Sequence, residues 1–192
     1  MRYALLLAMA FFALGCNAFG CEPFGPQVEG LICANLDSDP LSIGGMEDTH
    51  GTVYLFEGDV WNSYPHYSNL PVLDLCQRDY DTLLAIMGAG SYSDGVYKFD
   101  LGTHVWTINH WFYWPKFIRY CPANGYYYVG EQLGLFRSPD GLNWYGTPGL
   151  GEGPCTSLAF YGDHFVANRS NGVYYSADAG QTWQASSMVM LR

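Results

Sequence analysis

After the N-terminal apolar run, short apolar and aromatic stretches alternate with Gly, Asn and Asp along the whole chain. This pattern is typical of β-strands joined by tight turns. No apolar stripe with a 3.6-residue period follows, so helix is expected to be minor. Two sets of four strands are predicted after residue 115. They span 116–121, 125–130, 134–138 and 143–146, then 156–161, 164–167, 172–176 and 182–185.

Tryptophan recurs at a nearly constant spacing. Trp61, Trp106, Trp144 and Trp183 are 45, 38 and 39 residues apart. A period of about 40 residues built from short strands is typical of a β-propeller, in which each repeat is one blade. We therefore expect an all-β chain, a β-propeller of about four four-stranded antiparallel blades. Its domain spans 22–192, with repeats of about 22–64, 65–109, 110–147 and 148–187. Closure of the ring within one chain or by two chains is left open.

The last two repeats share a turn motif in which a Ser and an Asp two residues apart are followed by Gly and Trp. Because the motif recurs, it is expected to shape a turn and not to catalyse a reaction. The Asp carboxylate would accept backbone N–H groups, Gly would adopt a positive φ, and Trp would pack beneath the turn. The residues are Ser138, Asp140, Gly141 and Trp144, and Ser176, Asp178, Gly180 and Trp183.

These motifs resemble the Asp-box of the bacterial neuraminidase repeat (BNR) family. That family includes sialidases, sortilin-like receptors and photosystem II assembly factor-like proteins, all related to WD/YVTN/BNR-like propellers. Degenerate copies lie at 57–61 and 100–106. The resemblance therefore covers about 30–185 and is strongest in the last two repeats. It implies that the Asp-box hairpins lie at the periphery of the blades, away from the axial face on which sialidases bind substrate.

The first residues have the composition of a secretory signal, with Arg2, an uncharged run and a small-residue exit. Residues 1–15 are expected to be this signal. The residues before Cys16 resemble a bacterial lipobox, which would make Cys16 a lipidated N-terminus; cleavage after Ala18 or Gly20 is the alternative. Both routes predict a secreted protein, or a periplasmic or outer-surface lipoprotein that meets a membrane only through its lipid.

The net charge of −10 argues against nucleic acid as a partner, since an acidic surface repels phosphate backbones. Five cysteines follow Cys16, and disulfides or buried thiols are expected outside the cytoplasm. The bridges considered are Cys33–Cys76 and Cys121–Cys155, with Cys21–Cys33 as a competitor. No metal site or cofactor is expected, because no zinc-like Cys or His spacing accompanies these residues.

The segment HWFYWPKF at 110–117 is the most aromatic link between two repeats. Such links line the axial face, where exposed rings stack on sugars or anchor a protein partner. The alternative is that bulky side chains fill the wedge between blades. The predicted ligand-binding residues are Trp111, Tyr113 and Trp114, with Tyr64 and His66 from the preceding link and Arg78 and Arg119 beside the inner-strand cysteines.

The function expected from these features is non-catalytic binding or scaffolding on the extracytoplasmic side, with a protein or a glycan as partner. A sialidase-like glycoside hydrolase is the alternative. It would require Arg78, Arg119 and at least two carboxylates to converge on one pocket. A structural subunit that forms homo-oligomers is the third interpretation.

Overall fold

The computed structural model describes residues 30–35, 40–90 and 94–186, with the backbone alone for 30–35. In this part, sixteen strands form four antiparallel sheets of four strands each, and no helix occurs. The prediction of an all-β chain with little helix is therefore confirmed for the described residues. The predicted signal segment, with Cys16, and Cys21 lie outside them.

Each sheet is formed by four strands that follow one another in the chain. Sheet 1 contains β1 (Gly30–Asn35), β2 (Ser42–Glu47), β3 (His50–Glu57) and β4 (Val60–Pro65). Sheet 2 contains β5 (Val72–Asp79), β6 (Thr82–Met87), β7 (Gly95–Asp100) and β8 (Trp106–Trp111). Sheet 3 contains β9 (Phe117–Cys121), β10 (Tyr126–Gly130), β11 (Leu135–Ser138) and β12 (Tyr145–Gly146). Sheet 4 contains β13 (Cys155–Tyr161), β14 (His164–Arg169), β15 (Gly172–Ser176) and β16 (Gln184–Ala185).

Neighbouring sheets pack against each other in chain order, with an apolar cluster between each pair. β6 illustrates the pattern, since all six of its residues are buried. Its alternate side chains enter different clusters: Leu83 packs toward sheet 1, whereas Leu84 packs toward sheet 3. A strand that is apolar at every position is expected where both faces of its sheet are covered.

The first strands of neighbouring sheets also contact one another, β1 with β5, β5 with β9 and β9 with β13. Asp74 connects β5 to β9, because its Oδ2 accepts a 2.9 Å hydrogen bond from the Ile118 N–H and a second bond from the Arg119 guanidinium. The described strands contain no comparable contact between β13 and β1. Sheets 1 and 4 are therefore the two ends of the series.

The connections from β11 to β12 and from β15 to β16 are tight turns around an aspartate; we call these segments, 138–144 and 176–183, the Asp-turns. Asp140 Oδ1 accepts the Leu142 and Asn143 N–H groups at 2.9 and 2.8 Å. Asp178 Oδ1 accepts the Gln181 and Thr182 N–H groups at 3.0 and 2.8 Å. The predicted hydrogen-bonding role of both aspartates is confirmed.

The other predicted features of the Asp-turns are also present. Gly141 and Gly180 have φ values of 69° and 80°. Trp144 is buried against Phe112 and Trp183 packs against Phe165. Ser138 and Ser176 are buried, and their hydroxyls donate to the Asp140 and Asp178 carboxylates at 2.8 and 2.7 Å.

The two degenerate copies of the motif form different turns. Asp100 Oδ1 accepts the Gly102 and Thr103 N–H groups at 3.1 and 2.8 Å, as in the Asp-turns. The first copy is instead a two-residue hairpin between β3 and β4, in which Gly58 and Asp59 have φ values of 56° and 70°. Positive φ at both central residues is the geometry of a type I′ turn, so no carboxylate is needed to close it.

Candidate functional site

The rings with the greatest exposure in the predicted ligand-binding set lie at the end of β8 and on the link from β8 to β9. Trp111, Tyr113 and Trp114 are 56%, 45% and 39% exposed. Leu133, on the hairpin between β10 and β11, is 58% exposed beside them. We call these four residues the aromatic surface. The structure therefore brings together three of the seven predicted ligand-binding residues.

A concave region of about 330 Å³ adjoins the aromatic surface. Its walls are mainly apolar, and two polar side chains, His110 and Glu131, are part of its lining. An apolar concavity with a few fixed polar groups is the usual composition of a small-ligand site. The complete lining is His110, Trp111, Phe112, Tyr113, Glu131, Leu133 and Phe136.

Glu131 fixes the position of the link. Its side chain is buried, and Oε2 accepts a 2.7 Å hydrogen bond from the Tyr113 N–H. The Tyr113 carbonyl in turn accepts a 3.1 Å bond from the Gln132 N–H, so the link and the β10–β11 hairpin are joined twice. Burial raises the pKa of the Glu131 carboxyl, and the bond from Tyr113 opposes this effect. Burial lowers the pKa of His110, which favours the neutral imidazole.

Trp114 is held in an uncommon backbone conformation, with a φ of 55°. Its indole packs so closely against Gly90 that a Cβ there would lie 2.8 Å from Nε1. The Lys116 ammonium lies 5.5 Å from the centroid of the Trp114 ring, and the Tyr113 ring stacks on the same indole at 5.6 Å with an interplanar angle of 16°. A bulky residue at positive φ is strained, and such strain is concentrated at functional sites.

Tyr64 and His66 do not join the aromatic surface. Tyr64 lies in β4, where its hydroxyl donates a 2.7 Å bond to Glu57 Oε2. His66 is 1% exposed and its Nδ1 lies 2.6 Å from Ser68 Oγ. Burial lowers the pKa of His66 to about 4. The prediction that His66 faces a ligand is corrected, because the ring packs between Tyr97 and Trp106.

Arg78 and Arg119 have structural partners at opposite ends of β5. Arg78 Nε donates a 2.7 Å bond to the Asp140 carbonyl and its Nη1 lies 3.1 Å from Asp79 Oδ2, so it fastens an Asp-turn to sheet 2. Arg119 binds Asp74, near the start of β5. Both guanidiniums therefore have a structural partner, and because the Arg119 side chain is still 46% exposed, ligand binding by these residues stays a prediction. Neither guanidinium lines the concave region beside the aromatic surface, so that region does not meet the condition for a sialidase-like site.

Three of the cysteines are buried and free. Cys76 packs between sheets 2 and 3, whereas Cys121 and Cys155 pack between sheets 3 and 4. Cys121 is the last residue of β9 and Cys155 the first of β13, and the predicted Cys121–Cys155 bridge is not formed. Burial raises the pKa of Cys76 to about 12 and that of Cys155 to about 11. Because Cys76 is free, the predicted Cys33–Cys76 bridge is not formed either. The side chain of Cys33 lies outside the described residues.

Within 40–90 and 94–186, no cluster of three or more His, Cys, Asp or Glu side chains is arranged to hold a metal ion. The same part of the chain contains no helix of the length and apolarity needed to cross a bilayer.

Sequence reasoning missed Glu131, Leu133 and Phe136. They follow or begin strands of sheet 3 that carry no unusual motif. The order of the strands could have predicted their position. In a four-stranded antiparallel sheet, the hairpin from the second to the third strand lies at the same end as the link that enters the first strand. The β10–β11 hairpin must therefore lie beside the aromatic link.

No family model matches the chain, and no curated protein is significantly similar to it. Among solved structures, it is similar to the crystal structure of the computationally designed Ika4 protein, with 13% identity and a TM-score of 0.55 over 81% of this chain and 97% of Ika4. The designed Ika8 protein is 10% identical with a TM-score of 0.51, over 78% of this chain and 46% of Ika8. The extracellular domain of a two-component system of B. thetaiotaomicron has 19% identity and a TM-score of 0.43, over 81% and 27%. At these identities the two designed proteins share the fold alone.

Proposed function

We propose that this protein is a non-catalytic recognition module outside the cytoplasm, and that its aromatic surface binds a glycan. The observation that carries the proposal is the exposure of Trp111, at the end of β8, and of Tyr113 and Trp114, just after it, beside a concave region. Single exposed rings are common on protein surfaces, whereas adjacent exposed rings that form one patch mark an interaction site. The extracytoplasmic location is supported by the signal-like composition of residues 1–15.

The chemistry of the concavity suits a sugar. The aromatic faces offer flat apolar platforms for the C–H faces of a pyranose ring. The Glu131 carboxyl accepts the N–H groups of Tyr113 and Leu133, and its two oxygens have lone pairs for further hydrogen bonds. His110 supplies a second polar group at the edge of the same concavity. Hydroxyl groups of the ligand would bind to these two side chains.

The same proposal includes the architecture. The four sheets would be successive blades of an Asp-box propeller, with the aromatic surface on its axial side. Support comes from the antiparallel order of each sheet, the contacts between successive first strands and the two Asp-turns.

A glycan array tests the function directly. We expect wild-type protein to bind a defined set of glycans, and Trp111→Ala to weaken that binding about 10-fold or more, as for a central aromatic contact. Tyr80→Ala is the matched control, because Tyr80 is also an exposed ring but lies on the β5–β6 turn. The absence of binding to any glycan, or equal binding by Trp111→Ala, would contradict the proposal.

A further inference from the structure

The chain contains two Asn-Gly pairs, and both lie at hairpin turns. Asn124-Gly125 lies in the turn from β9 to β10, and Asn171-Gly172 lies where the turn from β14 enters β15. Asparagine is a chemically labile residue. It is most labile before glycine, because glycine has no Cβ to shield its backbone nitrogen from the amide carbon of the preceding side chain. The two pairs are therefore the positions most open to an intramolecular attack on an asparagine.

The side chain of Asn124 is held by three hydrogen bonds. Its Nδ2 donates to the Tyr128 hydroxyl at 2.9 Å and to the Ala179 carbonyl at 2.8 Å, and its Oδ1 accepts the Tyr126 N–H at 3.1 Å. Ala179 belongs to the second Asp-turn, so these bonds join sheet 3 to sheet 4. Loss of Nδ2 as ammonia would require both of its hydrogen bonds to break. The fold therefore opposes reaction at this pair.

The side chain of Asn171 has no such restraint. Asn171 is the second of two turn residues after Arg169, and Gly172 pairs with Arg169 at the end of the β14–β15 ladder. Asn171 is exposed, and within the described residues its amide has no hydrogen-bond partner. The end of a ladder also opens more readily than its middle. Water and the Gly172 nitrogen can therefore both reach the Asn171 amide.

We propose that Asn171 deamidates spontaneously in the folded protein, and that the hydrogen bonds of Asn124 protect it from the same reaction. The Gly172 backbone nitrogen attacks Asn171 Cγ, and the new C–N bond closes a cyclic imide. The Cγ–Nδ2 bond breaks, and the proton of the Gly172 N–H leaves with Nδ2 as ammonia. Water then adds to one imide carbonyl, the bond from that carbon to nitrogen breaks, and the nitrogen regains a proton. The product is aspartate or isoaspartate, and water is the only co-reactant.

Deamidation changes both the charge and the length of the turn. Either product carries an additional negative charge, and isoaspartate also adds one carbon to the main chain of a two-residue turn. The turn directly follows Arg169, whose buried guanidinium donates to the Leu150 and Glu152 carbonyls. The reaction therefore acts beside the residue that fastens segment 150–152 to sheet 4. The site is separate from the aromatic surface and does not depend on the function proposed above.

The test compares the two pairs within the same purified full-length protein during incubation at mildly alkaline pH. Mass spectrometry of the two peptides measures each rate, because replacement of –NH2 by –OH changes the peptide mass. We expect Asn171 to react about 10-fold faster than Asn124 or more, since reaction at Asn124 must await local opening. In the urea-unfolded chain the two rates should agree within about 2-fold, because both pairs then share the same Asn-Gly chemistry.

The urea sample separates the effect of the fold from that of the local sequence. Equal rates at the two pairs in the folded protein would overturn the proposal. A difference that persists unchanged in urea would also overturn it, because the neighbouring residues and not the fold would then set the rates. An Asn171 that is stable in the folded protein while the urea-unfolded chain reacts would overturn it as well.

Tyr128→Phe tests the protection of Asn124. The change removes the acceptor of one Nδ2 bond and retains the ring. Reaction at Asn124 should become about 5-fold faster, which corresponds to one typical hydrogen bond, and the rate at Asn171 should not change. Tyr120→Phe is the control, since Tyr120 lies in the neighbouring strand β9 and its ring is exposed. An unchanged rate at Asn124, or an equal rise in the control, would overturn protection by these bonds.

Discussion

The outer strands of the first two sheets differ from those of the last two. β4 and β8 have six residues each, whereas β12 and β16 have two. Where the outer strand is long, a ladder of backbone hydrogen bonds attaches it to its neighbour. Where it is short, an Asp-turn replaces most of the ladder, and one carboxylate accepts the N–H groups that a strand would have paired.

The difference shows that two halves of one fold can depend on different kinds of residue. A ladder is made by the backbone, so replacing one side chain leaves its hydrogen bonds in place. An Asp-turn concentrates several bonds on a single side chain. The Asp-turns are also fastened to the preceding sheet: Arg78 and Asn109 donate to the carbonyls of Asp140 and Gly141, and Asn124 donates to that of Ala179. Single substitutions should therefore be costlier in the second half.

The largest effect is expected for Gly141→Ala. Both Gly141 and Gly58 have positive φ, but a Cβ on Gly141 would lie 2.7 Å from Leu84 Cδ1, whereas nothing lies within 4 Å of one on Gly58. Gly141→Ala should lower the free energy of unfolding by about 3 kcal/mol, from backbone strain plus overpacking. Gly58→Ala should lower it by about 1 kcal/mol from strain alone. Urea titration measures both, and equal losses would contradict the contact with Leu84.

Asp140→Ala should follow, with a loss of about 2 kcal/mol. The change removes the acceptor of the Leu142 and Asn143 N–H groups. Asp59→Asn is the control from the first half, because Asn tolerates the φ of 70° and the position is an exposed turn. Its effect should stay within about 0.5 kcal/mol. If the two variants were equally stable in urea, the Asp-turn would not depend on its carboxylate.

Acid should weaken the Asp-turns selectively. Hydrogen bonds from the Thr182 hydroxyl and N–H lower the pKa of Asp178 from 3.8 to about 2, and similar bonds from Asn143 and Leu142 lower that of Asp140. Because the folded-state pKa values are below the ordinary value, the carboxylates stabilise the fold above about pH 4 and lose this contribution as the pH falls toward 2. The stability difference between wild type and Asp140→Ala/Asp178→Ala should therefore shrink over that range. Unfolding free energies measured from pH 6 to pH 2 check this, and a constant difference would refute it.

The smallest effect is expected for Tyr64→Phe in the first half. The change removes the 2.7 Å bond to Glu57 Oε2 but leaves the β3–β4 ladder intact. The expected loss is about 0.5 kcal/mol, since the bond is partly exposed. Urea titration beside Asp140→Ala gives the comparison. A loss as large as that of Asp140→Ala would mean that side chains, and not the ladder, hold the outer strand in both halves.

The regular elements were predictable because their signals are local. Strands of the last two sheets begin and end within two residues of the predicted positions, and the Asp-turn hydrogen bonds follow from the spacing of Asp, Gly and Trp. The outer strands are shorter than predicted because the residues before Trp144 and Trp183 belong to the turns. The first hairpin was predicted as a degenerate motif, whereas Gly58 and Asp59 form a simpler turn.

The candidate site was less predictable because its contacts join residues distant in the chain. The aromatic link was identified, but Arg78 binds an Asp140 carbonyl 62 residues away, and composition gives no indication of this pairing. His66 resembles an exposed link residue in sequence, yet it is enclosed by Tyr97 and Trp106 from the next sheet. Glu131 becomes part of the concavity only once the register of sheet 3 is known.

The reactivity of the buried thiols reports how fast parts of the fold open. Cys76 lies between sheets 2 and 3, and Cys155 between sheets 3 and 4, both with pKa values raised to about 11 or 12. An alkylating reagent reacts with an accessible thiolate, so labelling must await separation of the surrounding sheets. Mass spectrometry of the two cysteine peptides would thus time the opening of each intersheet cluster separately, without any introduced probe.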